Sequence, residues 1–126
     1  MIKINIIISN SDKRPIYEQV YAQIKSAIIT GEINEGEILP SIRALASDLR
    51  ISVITTKRAY EDLERDGFIE TRIGKGCYVK AQNFEIIREE NLKEIEKHLF
   101  SVSEKAKETN ISYEELCKIL KLLMED

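Results

Sequence analysis

The sequence predicts a mainly α-helical chain with one small β-hairpin and two further helices in a tail. Three observations predict it. Apolar residues from Ile16 to Ile28, and again after Ser41, recur at the three- and four-residue steps of one helix face. The stretch "FIETRIGKGCYVK" reads as two short apolar strands around Gly74-Lys75-Gly76, which is a hairpin signal. From Asn83 the pattern changes: Leu92, Ile95, Leu99, Val102 and Ala106 step by 3, 4, 3 and 4, a heptad-like seam.

In chain order, Ile2, Ile4, Ile6 and Ile8 alternate and read as a short extended segment, which "SNSDKRP" interrupts. Pro15 suits a first helical turn, where its missing N–H costs nothing. Ile16, Val20, Ile24, Ala27 and Ile28 line one face of the helix that follows, and Gly31 ends it. "GEINEGEILP" is a loop. Ser41 then sits at an N-cap position ahead of Ile42, Leu45, Ala46 and Leu49. Ser52 is a second N-cap candidate a few residues on, opening a helix over residues 52–66 that Gly67 stops. Two helices joined by so short a turn follow the helix-turn-helix plan, and the hairpin after them is a wing. In the tail, a long helix spans 83–109 and "TNISYEE" breaks it. Ser112 and Glu115 form a capping-box pattern ahead of Leu116, Ile119, Leu120 and Leu123. The expected organisation is a winged helix-turn-helix domain over 1–80 and a helical tail over 81–126.

Composition narrows the function classes. The chain has 126 residues and a formal charge of −3. Residues 1–80 hold 12 Lys+Arg against 11 Asp+Glu, whereas 81–126 hold 7 against 11. The acidity sits in the tail, so an anionic partner for the first part stays open. No apolar run approaches the ~20 residues of a membrane helix, and the N-terminus lacks a signal-peptide pattern, so the expectation is a soluble cytoplasmic protein. Cys77 and Cys117 form no CxxC pair, and His98 is the single histidine with no ligand-spaced partner. No metal or cofactor is expected. Paired catalytic carboxylates, a nucleophile with a histidine base and a phosphate loop are all missing, which argues against an enzyme.

The stretch 36–79, "GEILPSIRALASDLRISVITTKRAYEDLERDGFIETRIGKGCYV", closely resembles the winged-helix DNA-binding domain of the GntR family of transcription regulators. "LPSIR" at 39–43, "TTKRAYEDLERDGFI" at 55–69 and "GKGCYV" at 74–79 carry the resemblance, and "PIYEQVYAQIKSAIITGEI" at 15–33 is similar to the family's first helix. The 46-residue tail with two helices resembles the YtrA-like subfamily. The resemblance implies a dimeric, sequence-specific regulator, more often a repressor, acting on double-stranded operator DNA with an inverted repeat.

A helical wheel sorts the recognition-helix candidates. Thr56, Ala59, Tyr60 and Leu63 share the core face, while Val53 and Lys57 lie away from its centre and Thr55 sits on a flank. The resemblance places DNA contacts at Ser52, Val53, Thr55 and Lys57, and Thr56 is a further candidate. Ser52 and Thr55 hydroxyls suit phosphate, and Lys57 suits an acceptor pair such as guanine O6 and N7. Ser41 and Arg43 join the set because the matching arginine of the family grips DNA. The alternative for Arg43 is a pair with Asp48 or a glutamate. Arg72, Gly74, Lys75 and Gly76 form the wing-tip candidates, since little side chain and one cation permit close approach to phosphate. Many family members carry a glutamate at the position of Ala44 and a basic residue at that of Val53. Valine instead offers a surface for a thymine methyl.

The tail seam predicts a two-fold dimer burying Leu92, Ile95, Leu99, Val102, Leu116, Ile119, Leu120 and Leu123. The alternative is that this face folds back onto its own winged helix. A small-molecule effector at the dimer interface or at the tail–wing junction stays open. The rival function is a winged-helix module that binds protein and not DNA.

Overall fold

A computed structural model describes residues 4–125. Seven elements follow in order: α1 (Ile16–Thr30), α2 (Ile42–Leu49), α3 (Val53–Arg65), β1 (Ile69–Arg72), β2 (Gly76–Val79), α4 (Phe84–Thr109) and α5 (Tyr113–Met124). The chain divides into two compact units, one ending at Gln82 and the other beginning at Asn83.

In the first unit α3 is the central helix, packed on both α1 and α2. Its Thr56, Ala59, Tyr60 and Leu63 are buried, as are Val20, Ile24 and Ile28 of α1 and Leu45 of α2, and together they make the core of this unit. Each fully buried aliphatic side chain there contributes about 1.5–3 kcal/mol. The turn between α2 and α3 is tight. Arg50 closes α2 in the left-handed region (φ 56°), and the Ile51 N–H returns to the Ala46 carbonyl at 3.0 Å. An arginine there carries a backbone cost of about 1 kcal/mol that glycine would avoid. The sharp reversal brings Ser52 at once into position to cap α3.

The wing is a two-stranded sheet, as the sequence suggests, with one isolated bridge added from the loop before it. β1 and β2 pair antiparallel with Ile69 opposite Val79 and Arg72 opposite Gly76. The end of the preceding loop adds to the outer edge of β2 through an Ile38–Tyr78 bridge. Leu39 N–H donates to the Cys77 carbonyl at 2.8 Å, and Val79 N–H donates to the Glu37 carbonyl at 3.0 Å. This bridge ties the loop before Ser41 to the wing.

Ile2 of the expected N-terminal extended segment lies outside the described residues. Residues 4–9 pair with no strand. Two glutamine side chains of α1 take the place of a strand partner. Gln23 accepts from Ile7 N–H at 2.9 Å and donates to the Ile7 carbonyl at 2.7 Å, and Gln19 accepts from Ser9 N–H at 2.9 Å. Ile6 is buried.

In the second unit, Asn83 caps α4 by accepting from the Ile86 N–H at 3.3 Å, and Asn110 ends it in the left-handed region (φ 57°). Ser112 accepts from Glu115 N–H at 3.2 Å, so the serine half of the expected capping box is formed. Ala106 is the one buried residue of the two helices among those described, and Leu116 is half-buried. Leu92, Ile95, Leu99, Val102, Ile119, Leu120 and Leu123 are all exposed. No helix is long and apolar enough to cross a membrane among the described residues.

Candidate nucleic-acid interface

The site is built on three starts: the first turn of α2, the first turn of α3 and the wing. At α2, Ser41 Oγ accepts from the Ala44 N–H at 3.0 Å. With alanine at that position no side chain returns the favour, so the cap is single-sided. Arg43 stands exposed in this first turn and forms no ion pair among the described residues, so the pairing with Asp48 or a glutamate is not realised. A cation there opposes the helix dipole. The fold gains nothing from its charge.

At α3, Ser52 Oγ accepts from the Thr55 N–H at 3.0 Å and lies 2.7 Å from Thr55 Oγ1, donating to it. The Ser52 hydroxyl is therefore engaged in the cap, while Thr55 keeps its own proton free to donate outward. Thr56 needs a correction. It is 0% exposed, and its hydroxyl donates to the Ser52 carbonyl at 3.1 Å, so it belongs to the core and not to the contact surface. Its γ-methyl packs inward because its position on the helix shares the stripe of Ala59 and Tyr60. Lys57 and Val53 are exposed, as is Ile54 beside them. Lys57, like Arg43, has no ion-pair partner among the described residues.

Tyr60 links the two helix starts. Its buried hydroxyl donates to the Pro40 carbonyl at 2.7 Å, fixing the "LP" turn ahead of Ser41 against α3, and burial pushes its pKa up. A groove of about 420 Å³ opens there, lined by Ser41, Arg43, Lys57, Tyr60, Thr71, Gly76 and Cys77, with Glu61 and Glu64 also on its wall. Glu64 is occupied: its carboxylate accepts from the Thr71 N–H and hydroxyl, each at 3.2 Å. The geometry thus brings together Arg43, Lys57 and the base of the wing, which the sequence places 14 or more residues apart. Cys77 is buried, and burial pushes its thiol pKa up, which suppresses the reactive thiolate.

The wing turn runs over Ile73, Gly74 and Lys75, with Lys75 N–H donating to the Arg72 carbonyl at 3.0 Å. Gly74 (φ 77°) and Gly76 (φ 85°) hold left-handed conformations that a side chain would strain. Lys75 projects unpaired, whereas the Arg72 guanidinium lies 4.2 Å from the Tyr78 ring centroid and is anchored to the sheet. Three further side chains of α3 and the wing turn stand out. Ile54 is 81% exposed, Ile73 is fully exposed, and Arg58 stacks 3.8 Å from the Tyr17 ring of α1. The exposure of Ile54 was legible from its place off the core stripe of α3, and that of Ile73 from its place at the hairpin turn. The Arg58–Tyr17 stack depends on a helix crossing and had no such signal.

A capped helix start beside a second capped start, three unpaired cations and a glycine-tipped wing define a winged helix-turn-helix regulator. Residues 16–79 match the family model described as bacterial regulatory proteins, gntR family. The HTH-type transcriptional repressor YtrA of Bacillus subtilis (strain 168) is 43% identical over 65 residues, 52% of this chain and 50% of that protein. The chain thus spans half the length of that relative. The regulator YhcF of the same organism, whose function is uncharacterised, is 32% identical over 112 residues, 89% of this chain and 92% of that one. A solved structure of the N-terminal domain of AraR with the mutant operator ORR3 superposes with a TM-score of 0.50 at 30% identity, covering 52% of this chain and 94% of that chain. The chain belongs to the GntR family of bacterial regulatory proteins, and within it is YtrA-like.

Proposed function

We propose that two copies of this chain bind a duplex operator with an inverted repeat and repress transcription from it. The observation that carries the reading is the convergence of unpaired Arg43 and Lys57 with the wing around one groove. Exposed cations that serve no ion pair and oppose a helix dipole fit a polyanion better than a fold. The first turn of α3 enters the major groove, which admits one helix. Thr55 donates to phosphate alongside the free N–H groups of the helix start, and Lys57 reaches base edges. Arg43 and Lys75 take phosphates on either side, with Gly74 and Gly76 allowing the wing backbone close to the duplex. Residues 1–80 form the DNA-binding domain and 81–126 the dimerisation tail.

The tail supports pairing through a groove of about 320 Å³ lined by Leu99, Val102, Leu116, Ile119, Leu120 and Leu123 with Tyr113. An exposed apolar stripe of this length is an association surface, and a second copy is its simplest occupant. A small-molecule effector bound there would compete with the partner copy and so loosen the grip on DNA. Repression follows the described role of the YtrA relative. Fluorescence anisotropy with a labelled operator tests the reading: Arg43→Ala and Lys57→Ala are expected each to weaken binding at least about fivefold with the fold intact. Wild-type affinity in both variants would remove the basis of the assignment.

A further inference from the structure

The start of α3 carries a local conflict. Val53 and Ile54 are β-branched residues at the first two helical positions, where they are 46% and 81% exposed. β-Branched side chains lose rotamer freedom in a helix and are among its weaker formers. Here neither burial nor a cap compensates them, because Ser52 supplies the cap alone. Two adjacent aliphatic side chains exposed beside Lys57 break the local rule without a gain to the fold. Such breaks concentrate at functional sites.

The geometry points to thymine 5-methyl groups as the ligand of this pair: we propose that Val53 and Ile54 read adjacent T·A steps in the major groove by apolar contact. This rests on the DNA-binding reading above and specifies its base preference. The chemistry is restrictive. Neither side chain has a hydrogen-bond donor or acceptor, so neither can make the bidentate contacts that select guanine or adenine. In the major groove the one apolar group a base pair offers is the thymine methyl. Facing a cytosine or guanine edge, the two side chains would desolvate polar atoms and return nothing. Lys57, one turn further along, can still select a guanine. The half-site expected is therefore a thymine-rich pair flanked by a lysine-read base.

The test separates this inference from the reading beneath it. Duplexes are selected from a random pool, and the enriched operator is then synthesised with deoxyuridine at individual thymine positions, which removes the methyl and leaves every hydrogen-bonding group. Each substituted thymine that faces the pair should weaken binding about fourfold, from the burial value of one methyl-sized group. Val53→Ala/Ile54→Ala should bind the thymine and uracil duplexes alike. Both positions are solvent-exposed, so helix content should not fall, and circular dichroism checks that it does not. Equal affinity of the wild type for thymine and uracil operators overturns the methyl readout while leaving DNA binding in place. Failure to enrich any duplex would overturn both.

Discussion

Leu99→Asp is the sharpest probe of the tail. Leu99 is 49% exposed in the single chain and lines the apolar groove of the second unit. Full burial of a leucine side chain is worth about 2–3 kcal/mol, so covering the open half gains about 1–1.5 kcal/mol. A two-fold interface counts the residue twice, for about 2–3 kcal/mol. Aspartate removes this and adds two carboxylates that must lose water inside the contact, at a further penalty of a few kcal/mol. A total near 5 kcal/mol weakens association by roughly 10³- to 10⁴-fold, enough to turn a 10 nM dimer into one of about 40 µM. The monomer should keep its fold, because an exposed aspartate costs a helix less than ~0.7 kcal/mol. Sedimentation velocity at a few micromolar should then show a single species of half the wild-type mass, with unchanged circular dichroism. A variant that still sediments as the wild type does would refute the seam as the dimer contact.

Other substitutions probe the first unit. Lys57→Ala should cost about 1–3 kcal/mol on the best operator and relax selection at one base position, whereas Lys75→Ala should weaken all duplexes to a similar degree. Competition titrations with specific and random DNA distinguish the two patterns, and equal losses for Lys57→Ala on both would contradict its base contact. Tyr60→Phe leaves the Pro40 carbonyl without its donor in a buried site, and denaturant titration should show a loss of about 1–2 kcal/mol. The Tyr21 hydroxyl donates to Asp66, and burial followed by that carboxylate pushes its pKa up to about 12. Its ordinary value is 10.0. Below that value both states keep the proton. Between it and about 12 the unfolded chain releases the proton first, so stability falls as pH rises through this window. Tyr21→Phe should flatten that part of an alkaline melting series; an identical slope in the variant would show that other groups govern it.

The recognition elements were legible because they are local. A cap at Ser52, the stripe Thr56–Ala59–Tyr60–Leu63 and Gly67 define α3 within its own few residues, and the structure ends that helix at Arg65. What the sequence hid is contact between distant segments. The bridge at Ile38 gave no local signal because its pairing partner, Tyr78, lies 40 residues on. The alternation of the N-terminal isoleucines reads as an extended segment, but it does not register that Gln19 and Gln23 satisfy that backbone from a helix. Arg58 gave no hint of Tyr17 for the same reason. Within the candidate surface, Thr56 shows that residue type misleads where position decides: a threonine next to two cations suits DNA by chemistry, but its angle on the helix sends it into the core.

The most direct test of the central claim is the salt dependence of binding to a selected operator against a scrambled duplex of the same length. Arg43 and Lys75 give four phosphate-directed cations per dimer, so raising salt from roughly 50 to 200 mM should lower operator affinity about 150-fold, with a slope near −3.6 in log–log form. The operator should stay at least a thousandfold preferred over the scramble at the higher salt. Affinity that is flat across this range, or the same for both duplexes, would contradict a sequence-specific DNA-binding dimer.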